Sequence, residues 1–291
     1  VGAIIGMTLT SFSTGNVHNF VNPLWPESFG WETVLAVGAA LRYSFFAFSG
    51  WEGATYMAEE VKDPQRTLPL SLFFGIGGVT LLYIGTNLGY LYQLNVQEII
   101  ENKWVATAAM KVVLGATGGV LISVAVAINA FGNISTQILC KGRTWHAMAR
   151  DGLFFDKFKV LHPVFKSPNN ALIGQGIWAT ILLIFSVVAT YLQSGVSGSN
   201  TYEIMIDFFS ATSTIFNLLT FGAIYVLRKK WPQKDRPYKA LLYPWSMIIV
   251  LILYSSFLVI TLITAFIPSL VGLALTFSGT FYYLKKVKNK S

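Results

Sequence analysis

Long apolar runs separated by short polar segments organise this chain. A helix of about 20 apolar residues crosses the hydrocarbon core of a bilayer at a rise of about 1.5 Å per residue. The pattern predicts an all-α polytopic membrane protein, a single transmembrane domain with seven full transmembrane helices and one partial helix, the last two helices meeting at a hinge at Pro268. Within 1–291, the predicted segments are 1–10, 31–60, 68–94, 112–140, 171–192, 202–228, 241–266 and 268–285.

The first segment, 1–10, is too short to cross a bilayer. The chain does not begin with methionine, and its first residues lie inside an apolar run that lacks the basic flank of a signal peptide. We therefore expect this segment to be the end of a helix that starts upstream, and the chain to be a fragment or a truncated gene product.

The second segment, 31–60, departs from the composition of a simple membrane anchor. Its stretch Phe45–Gly53 contains two glycines, a serine, a tryptophan and the carboxylic acid Glu52. Glycine disfavours helix, serine competes for backbone hydrogen bonds, and an acid at membrane depth is costly unless it faces a partner or water. These residues predict a broken helix whose freed backbone groups hold a ligand. The alternative is a kinked structural helix in which Glu52 has an internal partner.

Composition supports a membrane location and argues against a nucleic-acid partner. The 291 residues are 54% hydrophobic and 12% charged, with a mean hydropathy of +0.56, whereas soluble domains carry about 25% charged residues. The net charge of +8 comes mainly from lysines and arginines in short loops between apolar runs. The lipid bilayer is therefore the predicted environment, and nucleic acid is not a predicted partner.

The lysines and arginines alternate between the two ends of the predicted helices. Eighteen of the 21 lie in four segments: the one after 31–60, the one after 112–140, the stretch 228–239, and the C-terminal tail from Lys285. By the positive-inside rule these four segments are cytoplasmic. We therefore expect an integral protein of the plasma or inner membrane with a cytoplasmic C-terminus. Arg42 is the exception, and we expect it to snorkel to the outer interface or to line an outer vestibule.

No motif in the sequence indicates catalysis or metal binding. Cys140 is the only cysteine, and His18, His146 and His162 lack the spacing of a metal site. The sequence contains neither the G-x-S-x-G motif of a nucleophile elbow nor a P-loop. We therefore predict no catalytic residue, no metal, no cofactor and a protein that is not an enzyme. Membrane-embedded catalysis with sparse motifs is the alternative.

Polar residues inside two of the predicted helices are candidates for a ligand pathway. Asn129 and Asn133 lie four residues apart, and with Thr136 they share one helical face. Thr212 and Ser213 lie inside another apolar segment. Such residues line a pathway through the protein or hydrogen-bond one helix to another, and the sequence leaves both roles open.

Three parts of the chain resemble amino-acid permeases of the amino acid–polyamine–organocation (APC) superfamily. They are similar to the sixth helix and its following loop, to the loop after the eighth helix, and to the loop after the tenth helix. The first carries the aromatic-Ala-aromatic-small-Gly-Trp sequence of the L-type amino-acid exchanger branch. In order, the three parts are Phe46–Glu52 with Ala58–Pro69, Ala149–Phe154 with Pro168–Leu172, and Arg228–Lys230 with Arg236–Lys239.

This resemblance covers nearly the whole chain, from the end of helix 5 to helix 12 of the family. It implies a LeuT-like fold, in which five helices and five more form an inverted repeat, with the N-terminal helices 1–4 missing from this chain. In that scheme 1–10 is the remnant of helix 5 and 31–60 is the broken helix 6. It also implies secondary active transport of amino acids by alternating access, through exchange or proton coupling.

The resemblance places the substrate at the unwound part of helix 6. Exposed carbonyl oxygens near Phe46, Ala47 and Ser49 would receive the substrate ammonium. Phe46 matches the aromatic gate of the family, and Trp51 and Glu52 would border the side-chain pocket. The implied substrate-binding residues are Phe46, Ala47, Ser49, Gly50, Trp51 and Glu52.

Glu52 departs from the L-type branch, which commonly has a neutral polar residue at this position, whereas some relatives that exchange basic amino acids have an acid. Three roles stay open for it: pairing with a cationic substrate side chain, taking up a proton, or hydrogen-bonding a neighbouring helix. Besides the amino-acid substrate, the family allows protons and a single-pass partner subunit as partners. The alternative function is a non-transporting membrane receptor or scaffold of the same fold.

Overall fold

The computed structural model of the chain is built from helices. It describes residues 2–20, 28–58, 61–194, 199–234, 236 and 240–288, and contains no strand in these ranges. The predicted all-α class is confirmed. The α-helices of the described residues are α1 Gly2–Thr14, α2 Trp31–Ala47, α3 Gly53–Tyr56, α4 Pro64–Gln93, α5 Val96–Glu101, α6 Val105–Arg150, α7 Asn169–Ser194, α8 Ser199–Lys230, α9 Trp245–Thr264 and α10 Phe266–Lys288.

Six of the described helices are long and apolar enough to cross a membrane, namely α4, α6, α7, α8, α9 and α10. Many of their large apolar side chains are exposed, such as Phe73 at 74% and Leu81 at 72%. A water-soluble protein buries such side chains, whereas lipid solvates them. The helices therefore have the length and the surface of membrane spans.

The chain forms two compact units, of which the first is Val1–Ser28 with Glu60–Leu139. In this unit α1 packs along α4. The end of α4 holds the end of α1, because the side-chain amide of Gln93 donates to the Ser11 carbonyl oxygen at 3.1 Å and to the Thr14 hydroxyl at 2.9 Å. These bonds are partly or fully buried, so they fix the register of the two helices.

The second unit is Phe29–Glu59 with Cys140–Ser291. Within it α2 packs against α8 and α9, and α8 also packs against α7, α9 and α10. The ring of Trp145 contacts Phe154 and Phe158 with centroid distances of 5.3 and 5.6 Å, which closes the segment after α6 onto its own end. The helix α8 is therefore the central element of this unit.

Helix α6 covers the predicted range 112–140 and continues at both ends. Inside it, Gly115 has φ 63° and ψ −153°, which is not helical. Glycine adopts such a conformation without the steric cost of a Cβ atom. The glycine near the start of the predicted segment therefore marks a kink within a longer helix.

The boundary between the last two helices differs from the predicted hinge at Pro268. Helix α9 ends at Thr264, and Ala265 leaves the helix with φ −134° and ψ 53° before α10 begins at Phe266. Pro268 lies in the first turn of α10, where the missing N–H of proline has no intrahelical partner to lose. The proline therefore starts a helix instead of bending one.

Candidate functional site at an interrupted helix

A helix break lies where the sequence predicts it, between α2 and α3. Helix α2 ends at Ala47 and α3 begins at Gly53, so that Phe48–Glu52 lies outside regular helix. In the middle of this break Gly50 has φ 104°, a left-handed value at which a Cβ atom is strained. Glycine thus permits the turn that takes the chain out of the helix.

The backbone carbonyls of the break are only partly used within the chain. The Phe46 carbonyl oxygen accepts from the N–H of Ser49 at 3.0 Å and from its hydroxyl at 2.7 Å. The Gly50 carbonyl oxygen accepts from the N–H of Gly53 at 3.0 Å. In the described ranges no donor reaches the carbonyl oxygen of Ser49. Of the carbonyls expected to be exposed, that of Ser49 is thus available to a ligand, whereas that of Phe46 already has two donors.

The carboxylate of Glu52 turns back onto the break. Its Oε2 atom accepts a hydrogen bond from the N–H of Gly50 at 3.0 Å. The Glu52 carbonyl oxygen accepts from the N–H and the hydroxyl of Thr55, at 2.9 and 2.6 Å, and so starts α3. The hydrogen bond to Gly50 is a fourth role, beside the three considered from the sequence, and it stabilises the turn itself.

A cavity of about 130 Å³ lies beside the break. Its lining combines aromatic rings with hydroxyl, amide and carboxylate groups. One of these groups, the hydroxyl of Ser210, lies on a residue that is 4% exposed and has no hydrogen-bond partner among the described residues. Because buried polar groups are almost always paired, this hydroxyl is a candidate ligand contact. The lining consists of Phe45, Phe46, Phe48, Ser49, Trp51 and Glu52, then Phe209, Ser210, Ser213, Thr214 and Asn217 of α8, and Tyr254 and Phe257 of α9.

The two predicted aromatic site residues are anchored on α8. The ring of Phe46 packs edge-on against Phe209 and Tyr202, with centroid distances of 5.5 and 6.0 Å. The indole of Trp51 stacks on Phe221 at 6.4 Å with an interplanar angle of 12°. Both rings also line the cavity, so movement at the break changes its shape.

The polar residues proposed from the sequence as pathway candidates lie in different places. Ser213 lines the cavity at the break, and the side-chain amide of Asn217 lies 3.4 Å from its hydroxyl. Its neighbour Thr212 lines a separate, mostly apolar cavity of about 430 Å³ formed by α7, α8 and α10. Asn129 and Asn133 are exposed residues of α6 that belong to the first unit. Of these four predicted residues, the structure brings Ser213 to the break.

The short helix α3 rests on the part of α6 that belongs to the second unit. The Sγ atom of Cys140 lies 3.5 Å from Sδ of Met57, just after α3. A Cβ atom on Gly53, the first residue of α3, would meet the same sulfur at 3.7 Å, an ordinary van der Waals distance. The residues that follow the break therefore contact the buried thiol of Cys140.

A partly buried ion pair joins α2 to α8. The Nη1 atom of Arg42 lies 2.5 Å from Oδ1 of Asp207, and the two side chains are 10% and 17% exposed. The sequence led us to expect that Arg42 snorkels to the outer interface or lines an outer vestibule. The structure shows neither, because its guanidinium is paired with Asp207 inside the protein. Asp207 is absent from the residues predicted above. The signal that identifies it is an acid inside a long apolar segment, the same signal that identifies Glu52.

Comparison with known proteins identifies the family of this chain. Residues 1–284 match the model of a family described as amino acid permease. The chain belongs to the amino acid permease family. The predicted resemblance to permeases of the APC superfamily is thereby confirmed, and so is the prediction that this membrane protein is not an enzyme.

Individual permeases similar to this chain include three named transporters. The serine/threonine exchanger SteT of Bacillus subtilis (strain 168) is 31% identical over 260 residues, which cover 86% of this chain and 55% of SteT. The human large neutral amino acids transporter small subunit 2 is 28% identical over 258 residues, 88% of this chain and 45% of that protein. The rabbit b(0,+)-type amino acid transporter 1 is 28% identical over 240 residues, with coverages of 82% and 45%. The chain spans about half the length of the curated relatives it matches.

Proposed function

We propose that this chain forms part of a secondary active transporter that carries amino acids across the membrane by alternating access, through exchange or proton coupling, with the substrate bound at the break between α2 and α3. One observation carries the proposal: in a chain of the amino acid permease family, the break lies beside a small cavity whose lining includes residues with oxygen acceptors. The names of the three relatives, all exchangers or transporters, support amino acids as the substrate class.

The groups around the cavity suit the ammonium group of an amino acid. An ammonium that leaves water needs several acceptors at once. Ser49, Glu52 and Ser210 line the cavity. Each carries an oxygen acceptor, and the Ser210 hydroxyl has no hydrogen-bond partner among the described residues. Helix α2 ends at the same place, and the C-terminal end of a helix carries a partial negative charge. These features together favour a cationic group at the break.

Phe46 is the proposed gate of this site. Its ring lines the cavity and at the same time packs edge-on against α8. Rotation of the ring about its side-chain torsions would therefore cover or uncover one side of a bound ligand. Trp51, stacked on Phe221, forms a more fixed border of the same cavity.

Glu52 is proposed to set the charge preference of the site. A carboxylate at the cavity attracts a cationic side chain or a proton and repels an acidic side chain. Its hydrogen bond to the Gly50 N–H would hold the carboxylate in position while the cavity is empty. Neutral and basic amino acids are therefore the proposed substrates, ahead of acidic ones.

A partner subunit and the orientation of the chain in the membrane are also part of the proposal. The human relative is named a small subunit, so a partner subunit is a candidate partner for the complete protein. The distribution of lysines and arginines supports a cytoplasmic C-terminus, which orients the chain in the membrane.

Exchange of radiolabelled amino acids tests the proposed function. The protein encoded by the complete gene is reconstituted in liposomes loaded with unlabelled amino acids, and uptake is measured for each of the twenty. We expect Phe46→Ala and Glu52→Gln each to reduce exchange by about tenfold or more, because both remove a contact at the proposed site. Phe131→Ala and Glu101→Gln make the same chemical changes at exposed positions outside the cavity and should leave exchange within about twofold of the wild type.

The outcomes separate the alternatives. Wild-type exchange by both site variants would remove the site assignment. Binding of amino acids by the wild type without any exchange would favour a non-transporting receptor.

A further inference from the structure

The basic segment 228–239, which begins in the last turn of α8, has no part in the function proposed above. It holds six lysines and arginines and a single acid, Asp235, which lies outside the described residues. The positive-inside rule explains on which side of the membrane such a segment lies, but it requires no particular arrangement of the cations. In the structure the arginines and two of the lysines are arranged differently.

The two arginines of the segment are used within the chain. The guanidinium carbon of Arg228 lies 3.7 Å from the centroid of the Tyr243 ring. Arg236 donates from Nη2 to the Trp231 carbonyl oxygen at 2.7 Å and from Nη1 to the Pro232 carbonyl oxygen at 3.3 Å. Both arginines are half-buried, and basic side chains stabilise the carbonyl end of a helix. The arginines therefore hold the end of α8 and the turn that follows it.

Two lysines of the segment lie instead around one exposed indole. The Nζ atoms of Lys230 and Lys234 are 5.1 and 5.6 Å from the centroid of the Trp231 ring. All three residues are exposed, and neither lysine forms an ion pair with an acid in the part of the chain that the structure describes. A cation beside an aromatic face is attracted by the ring and can still bind an anion. Two ammonium groups are thus held near one ring without a carboxylate partner.

The same residues line an open cavity of about 410 Å³. Its lining, residues 230–234, contains no acid. Helix α8 is long and apolar enough to cross a membrane, and the cavity lies at its C-terminal end. Tryptophan side chains are enriched at the level of the lipid head groups. We therefore place the cavity and its two ammonium groups at head-group level.

Charge determines which ligand suits this cavity. Two lysines without a carboxylate partner attract an anion, and lysine binds phosphate as a compact point charge. The proposed orientation places the segment at the cytoplasmic leaflet, whose acidic phospholipids give the membrane surface a negative potential. Clusters of about four to eight lysines and arginines just after a membrane span are typical of proteins that bind such lipids. An acidic phospholipid offers a phosphate to the lysines while its acyl chains stay in the bilayer beside α8.

We propose that Lys230, Trp231 and Lys234 form a binding site for the head group of an acidic phospholipid of the cytoplasmic leaflet. The lipid phosphate pairs with the two ammonium groups, and the indole lies against the glycerol backbone. Ser213 and Asn217 of the same helix line the cavity at the break. A lipid bound here therefore anchors the helix that forms one wall of that cavity. The inference rests on the proposed orientation of the chain and not on the proposed substrate site.

Retention of lipid by the purified protein tests the site. The protein encoded by the complete gene is immobilised in detergent, equilibrated with equal amounts of phosphatidylserine and phosphatidylcholine, and washed, and the retained lipids are quantified by mass spectrometry. Both lipids carry a phosphate, but the choline cation leaves phosphatidylcholine without net charge. We expect the wild type to retain more phosphatidylserine than phosphatidylcholine, and Lys230→Gln/Lys234→Gln to lower that ratio by about fivefold or more.

A second pair of lysines provides the matched control. Lys157→Gln/Lys159→Gln removes the same two charges from exposed positions in another basic segment, and it should leave the ratio within about twofold of the wild type. Lys230→Arg/Lys234→Arg keeps both charges and should keep the preference for phosphatidylserine. An equal loss in the two glutamine variants would mean that total charge alone attracts the lipid, and it would overturn the site.

The wild type alone gives a further test that does not depend on the folding of any variant. Raising the salt from about 0.1 M to about 1 M shortens the screening length from about 10 Å to about 3 Å, so it should remove the preference for phosphatidylserine. A preference that survives high salt would contradict an ionic site.

Soluble competitors identify the source of the anion. Glycerophosphoserine, which is the head group without acyl chains, and poly-glutamate are each added at the concentration of the lipid, and neither should displace it. Displacement by glycerophosphoserine would assign the cavity to soluble phosphate esters, and displacement by poly-glutamate would assign it to an acidic protein segment. Either result would overturn the lipid site.

The two proposals fail in different ways. Absence of amino-acid exchange by the wild type overturns the proposed function and leaves the lipid site untouched, because lipid retention is measured without transport. Equal retention of the two lipids by the wild type overturns the lipid site alone.

Discussion

Gly50 is the residue on which the shape of the break depends most directly. Its φ of 104° lies in a region that a residue with a Cβ atom enters at a cost of about 1–3 kcal/mol. We expect Gly50→Ala to lower the free energy of unfolding by that amount and to reduce exchange, because the cavity is built on the break. Thermal unfolding of the purified protein and the exchange assay measure the two effects.

Gly75 offers the matched control for this substitution. It lies inside α4, and a Cβ atom added there meets no atom within 4 Å. Gly75→Ala should be neutral or stabilising, since alanine is the better helix former. Equal unfolding temperatures for the two alanine variants would contradict the importance of the left-handed turn.

Single residues also show what sequence reasoning reaches and what it misses. Ser49, Gly50 and Glu52 identify the break because their effects on a helix are local. The partner of Arg42 is 165 residues away in the sequence, and only the packing of α2 against α8 brings Asp207 to it. The two donors on the Phe46 carbonyl likewise depend on the exact turn of the backbone.

At the level of elements, Gln93 fixes how α1 and α4 pack in the first unit. Its side-chain amide donates to both Ser11 and Thr14 from a site that is 7% exposed. We expect Gln93→Ala to lower the free energy of unfolding by about 1–3 kcal/mol, because two hydrogen bonds between the helices are lost and each contributes about 0.5–1.5 kcal/mol. Thermal unfolding in detergent measures the change.

Gln97, an exposed glutamine on α5, provides the control for Gln93→Ala. The side chain of Gln97 donates to Glu101 at 2.7 Å at the surface. Gln97→Ala should change stability by less than about 0.5 kcal/mol, as surface substitutions usually do. A loss as large as that of Gln93→Ala would refute the role given to the α1–α4 contact.

The residues at which the helices begin, bend and end show how much of the helix boundaries local sequence explains. Apolar length locates the helices, but the kink at Gly115 shows that a glycine-rich start can lie inside a longer helix. The turn at Ala265 lies three residues before Pro268, whose missing N–H cannot bond the Thr264 carbonyl of a continuous helix. The proline therefore predicts a boundary near this point, but its own position is inside the new helix and does not give the residue at which the chain turns.

At the scale of the whole molecule, the alternation of lysine and arginine predicts which ends of the helices face the cytoplasm. Single cysteines at Ser28, Lys157 and Gln233, in a Cys140→Ser background, test it with a membrane-impermeant maleimide on intact cells. We expect Ser28→Cys to react from outside, and Lys157→Cys and Gln233→Cys to react only after permeabilisation. Labelling of all three from the same side would refute the predicted orientation.

The class of the molecule follows from its sequence more completely than the details of its site. Apolar runs and sparse charge require a bilayer, and the aromatic-Gly-Trp stretch before Glu52 indicates the permease family that the comparison confirms. Placement of polar residues is less predictable. Thr212 and Ser213 are adjacent in sequence, yet they line two different cavities, because neighbouring residues of a helix point about 100° apart.

The seat of α3 on Cys140 has a mechanical consequence. The Sγ atom of Cys140 contacts Sδ of Met57 just after α3, so a displacement of α3 that keeps this contact would also shift the C-terminal part of α6. A displacement that begins at Gly53, the first residue of α3, would then reach Arg150, the last residue of α6. A ligand that changes the backbone conformation at Gly50 would in this way shift the end of α6, ten residues after Cys140, where the basic loop begins.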